Sequence, residues 1–245
     1  MRSQEDPELA RAVELLWGER ALPRRGPKPA LTPRQIAEAA IAIADEEGTV
    51  DVPMQRVANQ LGVTTMALYR YVFSKRALVG LMIDLAIEAP PPAEKMPARW
   101  RAALDRWARL LLAGFLRHPW LVGATARRRT PGPNEMAWLE CGVRALSGTA
   151  LVGGEAIDAV IVLLGHVRSI AQVTGDGAPT GGAQSEADWN ESIAALLPRD
   201  PGRFPALLAA TRQGALGPED QDALEFGLRC ILDGIGAAIA ERARR

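Results

Sequence analysis

The side chains best suited to chemistry lie between Val57 and Arg76, in the run VANQLGVTTMALYRYVFSKR. Met66, Tyr69 and Arg70 fall on one side of a helical spacing, and Leu68 and Val72 on the other. Water is an odd partner for the first set, and a second molecule offering anions and flat edges suits it better. Thr64 or Thr65 can cap the helix that carries them, and Ser74 can cap the next. Lys75 and Arg76 then stand in a first turn, where cations are mildly disfavoured, so an external anion would account for them. The plainer alternative is a helical hairpin whose exposed Tyr and Arg have no role.

These side chains need elements to hold them. Val57, Ala58 and Leu61 recur as the buried face of a short helix, and Gly62 follows where a left-handed helix end belongs. A short helix, a glycine turn and a second helix form a helix-turn-helix pattern. Upstream, Thr32-Pro33 reads as an N-cap followed by proline at the first helical position. Ile36, Ala40, Ile43 and Ala44 form that helix's apolar face, and Gly48 ends it. Downstream, KRALVGLMIDLAIEA predicts a helix long enough to leave this unit and touch the next. At the N-terminus, residues 7–17 are helical through Leu9, Val13 and Leu16, and Trp17-Gly18 stops them. ALPRRGPKPALTP follows as an extended, proline-broken arm. Its Arg24, Arg25 and Lys28 are either solvated or track phosphates and enter a minor groove. RGPKP is similar to AT-hook peptides, with Pro in place of the second basic residue.

The 245 residues are 48% hydrophobic and 24% charged, which is globular composition with ample core. No twenty-residue apolar run predicts a membrane span, and MRSQEDPELARAVELL is too acidic for a signal peptide. Cys141 and Cys230 read as buried free thiols of a cytoplasmic protein. Net charge is zero, yet Arg20–Gly80 holds nine Lys and Arg against five Asp and Glu, a locally basic segment that suits a nucleic-acid-binding module. GxSxG, HExxH, P-loop and GxGxxG patterns are all missing, so no enzyme, cofactor or metal site is expected.

Pro90-Pro91-Pro92 marks a domain boundary, beyond which the sequence reads as all-helical. Trp100, Leu104, Trp107, Leu111 and Phe115 form an aromatic stripe, and Pro119 ends their helix. Trp120–Arg127 is short. PGPN at 131–134 caps a helix through Met136, Leu139, Val143 and Leu146, and Gly153-Gly154 separates it from an apolar helix at 155–173. Residues 175–188 are glycine-rich; helices near 189–197 and 203–213 follow, and Pro218 starts the last. There Leu224, Leu228, Ile231, Ile235 and Ile239 form a stripe, thickened by Phe226, Cys230 and Ala237. Gly227, Gly234 and Gly236 within it call for close approach by another helix. Two helices apolar nearly all round, 155–173 and 219–241, imply a homodimer interface. Trp107, Phe115, Trp120 and Trp138 could line a cavity, with His118, His166 and Arg168 as polar handles, although each tryptophan could equally be core.

The AAIAIADEEG helix end, RVANQLGV and TMALYRYVFSKRAL resemble, in order and spacing, the DNA-binding domain of the Tet-repressor (TetR) family of bacterial transcriptional regulators. HPWLV, GPNEMAWLECGVRAL and FGLRCILDGI are similar to the ligand-binding domain of its tetracycline-repressor-like branch. The resemblance implies an N-terminal extension over 1–30, a helix-turn-helix domain over 31–89 and a helical ligand-binding and dimerisation domain over 90–245. It implies a homodimer that binds a palindromic operator, represses, and is released by a small hydrophobic molecule. The alternative is a protein of the same fold that sequesters a small molecule without binding an operator. Carried onto this chain, Thr64, Thr65, Met66, Ala67, Tyr69 and Tyr71 fall where recognition-helix residues meet bases and nearby phosphates. Arg70 falls at the groove edge and Lys75 at a backbone contact, with Arg56 a further phosphate ligand. Gln55 stands where the family often has a basic residue, and could read adenine instead. Leu68 matches a core position.

Overall fold

The computed structural model describes residues 7–18, 31–126, 129–174, 186–215 and 223–245. Among them are twelve α-helices and no strand, the all-α architecture that the spacing predicts.

The helix-turn-helix unit comprises α2 (Pro33–Glu47), α3 (Met54–Leu61) and α4 (Thr65–Val72). Thr32 opens α2 in a capping box: its hydroxyl accepts from the Gln35 amide N–H at 3.2 Å, and Gln35 Oε1 accepts from the Thr32 N–H at 2.9 Å. Such a cap contributes about 1 kcal/mol. Gly62 ends α3 at φ 66°, a backbone state that costs any side chain-bearing residue strain. Thr64, rather than Thr65, is the N-cap of α4. Ile36, Ala40, Ile43, Ala44, Val57, Ala58, Leu68 and Val72 are buried together and lock the three helices.

Ser74 caps α5 (Lys75–Ile87), which packs on α2 and α4 as well as on the C-terminal helices α6 (Trp100–Arg117), α7 (Trp120–Thr125) and α8 (Pro133–Ala145). Pro90–Pro92 lie in an irregular stretch after it, but α5 itself already belongs to both halves of the molecule. The N-terminal helix α1 (Pro7–Trp17) also lies on α5, and Trp17 Nε1 donates to the Pro131 carbonyl at 3.0 Å. Val13, expected on its apolar face, is exposed; α1 docks through half-buried Leu15 and Leu16.

The C-terminal half is built on α6, packed by α8, α9 (Gly153–Thr174) and α12 (Ala223–Arg242). α10 (Glu186–Leu196) and α11 (Pro205–Arg212) are peripheral. Gly153 and Gly154 lie inside the first turn of α9, not between helices as their pairing suggests. α9 is long and apolar enough to cross a membrane, but Val160, Leu163, Val167 and Ala171 face the protein interior. In α8 the expected face is wider than its spacing suggests: Leu146 is buried and Leu139 and Val143 pack on the core, but Trp138, Cys141 and Gly142 are buried as well, and Met136 is exposed. Gly142 lets α9 close in, since a Cβ there would sit 2.8 Å from Val160 Cγ1. Cys141 is buried as expected, whereas Cys230 is exposed. It shares an outer side of α12 with exposed Phe226 and Ala237, while Leu228, Leu232 and Ile235 take the inner one. Pro218, the expected start of this helix, and most of 175–188 lie outside the described residues.

Candidate nucleic-acid interface and the cleft behind it

Burying Leu68 and Val72 forces the other face of α4 outward. Met66 is 74% exposed and Tyr69 38%, with Arg70 exposed beside them. Gln55, on α3, is tied to this face from two sides. Its Nε2 donates to Asn59 Oδ1 at 2.9 Å, and its Oε1 accepts from the Thr65 hydroxyl at 2.8 Å. The amide is therefore oriented before any partner arrives. Thr64 has given its hydroxyl to the Ala67 N–H, Ala67 is half-buried, and Tyr71 packs against the core.

The cations of this surface are partly neutralised from within. Arg56 pairs with Glu47 and, at 3.6 Å, with Glu46; Lys75 pairs with Asp51. In the absence of DNA the chain itself supplies an anion to the first-turn lysine, though not to Arg76 beside it. Exposed pairs of this kind hold about 0–1 kcal/mol, so phosphates can replace the carboxylates at little cost. Arg70 and Arg76 form no ion pair among the described residues. Arg24, Arg25 and Lys28 lie outside the described residues.

Two carboxylates, a buried Asp84 and an exposed Asp45, join the helix-turn-helix unit to the C-terminal helices. Asp84, 5% exposed on α5, accepts from the Asn134 N–H at 2.8 Å and the Glu135 N–H at 3.4 Å, and so caps α8 from another helix. Burial pushes the Asp84 carboxyl above its ordinary value, and these two backbone bonds only partly oppose the shift. A Cβ on Gly132 would collide with this carboxylate, so the glycine is what admits it. Asp45, near the end of α2, meets His118 Nδ1 at 2.8 Å and accepts from Trp120 Nε1 at 2.7 Å.

Of the aromatic and polar candidates for a ligand site, Trp107, Phe115 and Trp138 are interior. Trp107 Nε1 donates to the Trp138 carbonyl at 2.9 Å, the two indoles meet edge to face at 6.1 Å, and Trp138 Nε1 donates to the Glu88 carbonyl at 3.0 Å. His166 lies 3.3 Å from the Leu224 carbonyl and fills the space over Gly227, the close approach that glycine-rich α12 calls for. Gly234, by contrast, has nothing near it. Trp120 and Arg168 border an open cleft of about 1140 Å³ between α1, the link 48–51, the start of α5, α7 and the end of α9. Arg168 Nη2 donates to the Thr125 carbonyl at 3.1 Å, and its buried Nε has no partner. Burial lowers the guanidinium from its ordinary value.

The family model described as "Tetracyclin repressor-like, C-terminal domain" matches residues 92–239. The chain belongs to the tetracycline-repressor (TetR) family. It is 37% identical over 241 residues to the HTH-type transcriptional repressor DrrR1 of Streptomyces coeruleorubidus, covering 96% of this chain and 88% of that one. The class A tetracycline repressor of Escherichia coli is 25% identical, over 84% and 90% of the two chains. Among solved structures, apo ActR from Streptomyces coelicolor superposes with a TM-score of 0.70 at 28% identity, covering 86% of this chain and 98% of that one. This TetR-family protein is therefore a DNA-binding transcriptional regulator, and its family is one of regulators rather than enzymes.

Sequence spacing anticipated which face of α4 points outward in this TetR-family regulator but missed Asp45, Asp84 and Gly132. Their partners are 73, 50 and 48 positions away along the chain. A lone Asp within an apolar helix, LMIDLAI, is the signal that could have exposed Asp84.

Proposed function

We propose that this TetR-family regulator binds a palindromic operator as a homodimer, represses transcription in the cytoplasm, and is released by a small lipophilic molecule held by its C-terminal half. The observation that carries the reading is the outward face of α4, where Met66, Tyr69 and Arg70 surround a Gln55 amide fixed by Thr65 and Asn59. Gln55, Thr65, Tyr69 and the methyl groups of Met66 and Ala67 supply base preference. Arg56, Arg70 and Lys75 supply sequence-blind affinity, with Thr64 and Tyr71 beside the backbone and Arg24, Arg25 and Lys28 on the arm. Support for ligand response comes from ActR, which has been solved with actinorhodin and with (S)-DNPA at 28% and 27% identity to this chain.

The domains divide as 1–30, 31–89 and 90–245, and dimerisation uses α9 and α12. Ile157, Ile161 and Phe226 support that choice, being 44%, 50% and 61% exposed on helices whose other faces are buried. Ile161→Asp together with Phe226→Asp will shift the protein to monomer in light scattering, and an unchanged dimer would remove this surface.

A gel-shift against the gene's own upstream DNA, with salt titration and heparin competition, tests the reading. Failure to bind any palindrome selected from random DNA would favour the sequestering alternative. Tyr69→Ala will lower preference for operator over random DNA by roughly tenfold or more; an unaltered ratio removes Tyr69 as a reader. Lys75→Ala will weaken binding to all sequences and flatten the salt slope by about 1. An unchanged slope means that Lys75 stays with Asp51 on DNA.

A further inference from the structure

The interdomain cleft is charged in an unbalanced way. Two of its cations are answered within the chain: Lys75 by Asp51, and Arg129 by Glu135, whose carboxylate it grips at 2.5 and 2.6 Å. Arg76, also on the lining, forms no ion pair among the described residues and is exposed. Arg168 forms none either, with Glu135 acting on it only from a distance; it projects from α9 at the cleft wall, half-buried, and spends one N–H on the Thr125 carbonyl. Its Nε is the buried side-chain nitrogen or oxygen that lacks any partner among the described residues. An unpaired guanidinium taken from water is costly, and its fork of N–H groups is shaped to hold a planar or tetrahedral acid group. The walls are mixed: Leu16 from α1, Val50, Val79, Trp120 and Val122 are apolar, and Thr49, Thr130 and Gln172 lie among them. The volume of about 1140 Å³ lies just above the usual range of small-molecule pockets, roughly 300–1000 Å³.

We propose that this cleft binds a lipophilic organic anion, its acid group on Arg168 and its apolar body along Leu16, Val79 and Trp120. The regulatory consequence rests on the effector-responsive reading above. The cleft borders the 48–51 link and the first turn of α5, which carries Lys75, so an occupant wedges between the reading unit and the C-terminal helices. The N-terminal extension takes part directly, because α1 forms one wall and Trp17 pins it to Pro131.

The test uses the full chain without DNA and two fluorescent probes that differ by one sulfonate: 8-anilinonaphthalene-1-sulfonate and neutral N-phenyl-1-naphthylamine. Arg168→Gln will weaken the sulfonate probe at least tenfold and change the neutral probe less than twofold. Gly123→Phe will weaken both, since a side chain there starts in open space on the cleft wall. Melting curves establish that each variant is folded. Equal loss of both probes in Arg168→Gln, unchanged binding of the sulfonate, or no saturable binding to the wild type would overturn the proposal. Operator release is measured separately on the wild type by gel shift with the sulfonate probe. A site that depends on Arg168 in a protein that binds no operator keeps the proposal and removes the repressor reading.

Discussion

Asp84→Ala will lower the unfolding free energy by about 1–3 kcal/mol, because it leaves the part-buried N–H groups of Asn134 and Glu135 without their acceptor. Chemical denaturation at neutral pH measures this. Asp84→Asn keeps an acceptor oxygen in place and will cost far less. The two variants also differ in their pH dependence. Burial raises the folded carboxyl above its ordinary 3.8, so the folded state binds the proton more tightly than the unfolded chain. The stability linked to that proton is fully present below the ordinary value and is lost as pH rises through the folded one. Asparagine carries no such proton, so its stability relative to wild type will improve as pH rises through that window. A constant difference between the two proteins would mean that the carboxylate is not desolvated in solution. Gly132→Ala attacks the same contact from the other side by expelling the carboxylate. It will be costly in the wild type and cost less, but not nothing, once Asp84 is alanine, because the remaining Cβ at position 84 would still lie 2.7 Å from the added one; a reduced cost is the non-additivity that neighbouring groups show.

Trp107→Ala will cost about 3–5 kcal/mol, the range for emptying a large aromatic site. Trp107 is 2% exposed, donates to the Trp138 carbonyl and meets the Trp138 ring edge to face. Trp120→Phe provides the contrast. It keeps most of the packing but loses the bond to Asp45, and so weakens the join between α7 and α2 with a smaller change in melting temperature. If Trp107→Ala leaves the melting temperature unmoved while a bound ligand is lost, Trp107 lines a pocket and is not core.

Much of the reading unit was legible because its determinants are local. Thr32-Pro33, Gly48, Gly62 and Ser74 punctuate helices through bonds to residues within a turn, and Leu68 and Val72 declare the inner face of α4 by spacing alone, while the choice of Thr64 over Thr65 as its cap came from the fold. Along α8 the spacing marks Leu139, Val143 and Leu146, which do pack on the core, but it does not mark Trp138, Cys141 and Gly142, whose burial follows from the approach of α6 and α9. Cys230 was placed inside because α12 is apolar on more than one side, and periodicity cannot say which side a single chain covers.

The amino-acid order alone specifies the helices, their caps and the outward Met66, Tyr69 and Arg70, since those depend on neighbours three or four positions away. Folding in three dimensions assigns the partners. It gives Lys75 to Asp51, Arg56 to Glu46 and Glu47, Asp84 to the start of α8 and Asp45 to His118 and Trp120. It also leaves Arg168 Nε unanswered at the edge of a cleft. No spacing rule carries that information, because a charge finds its partner through space and these partners are distant in the chain.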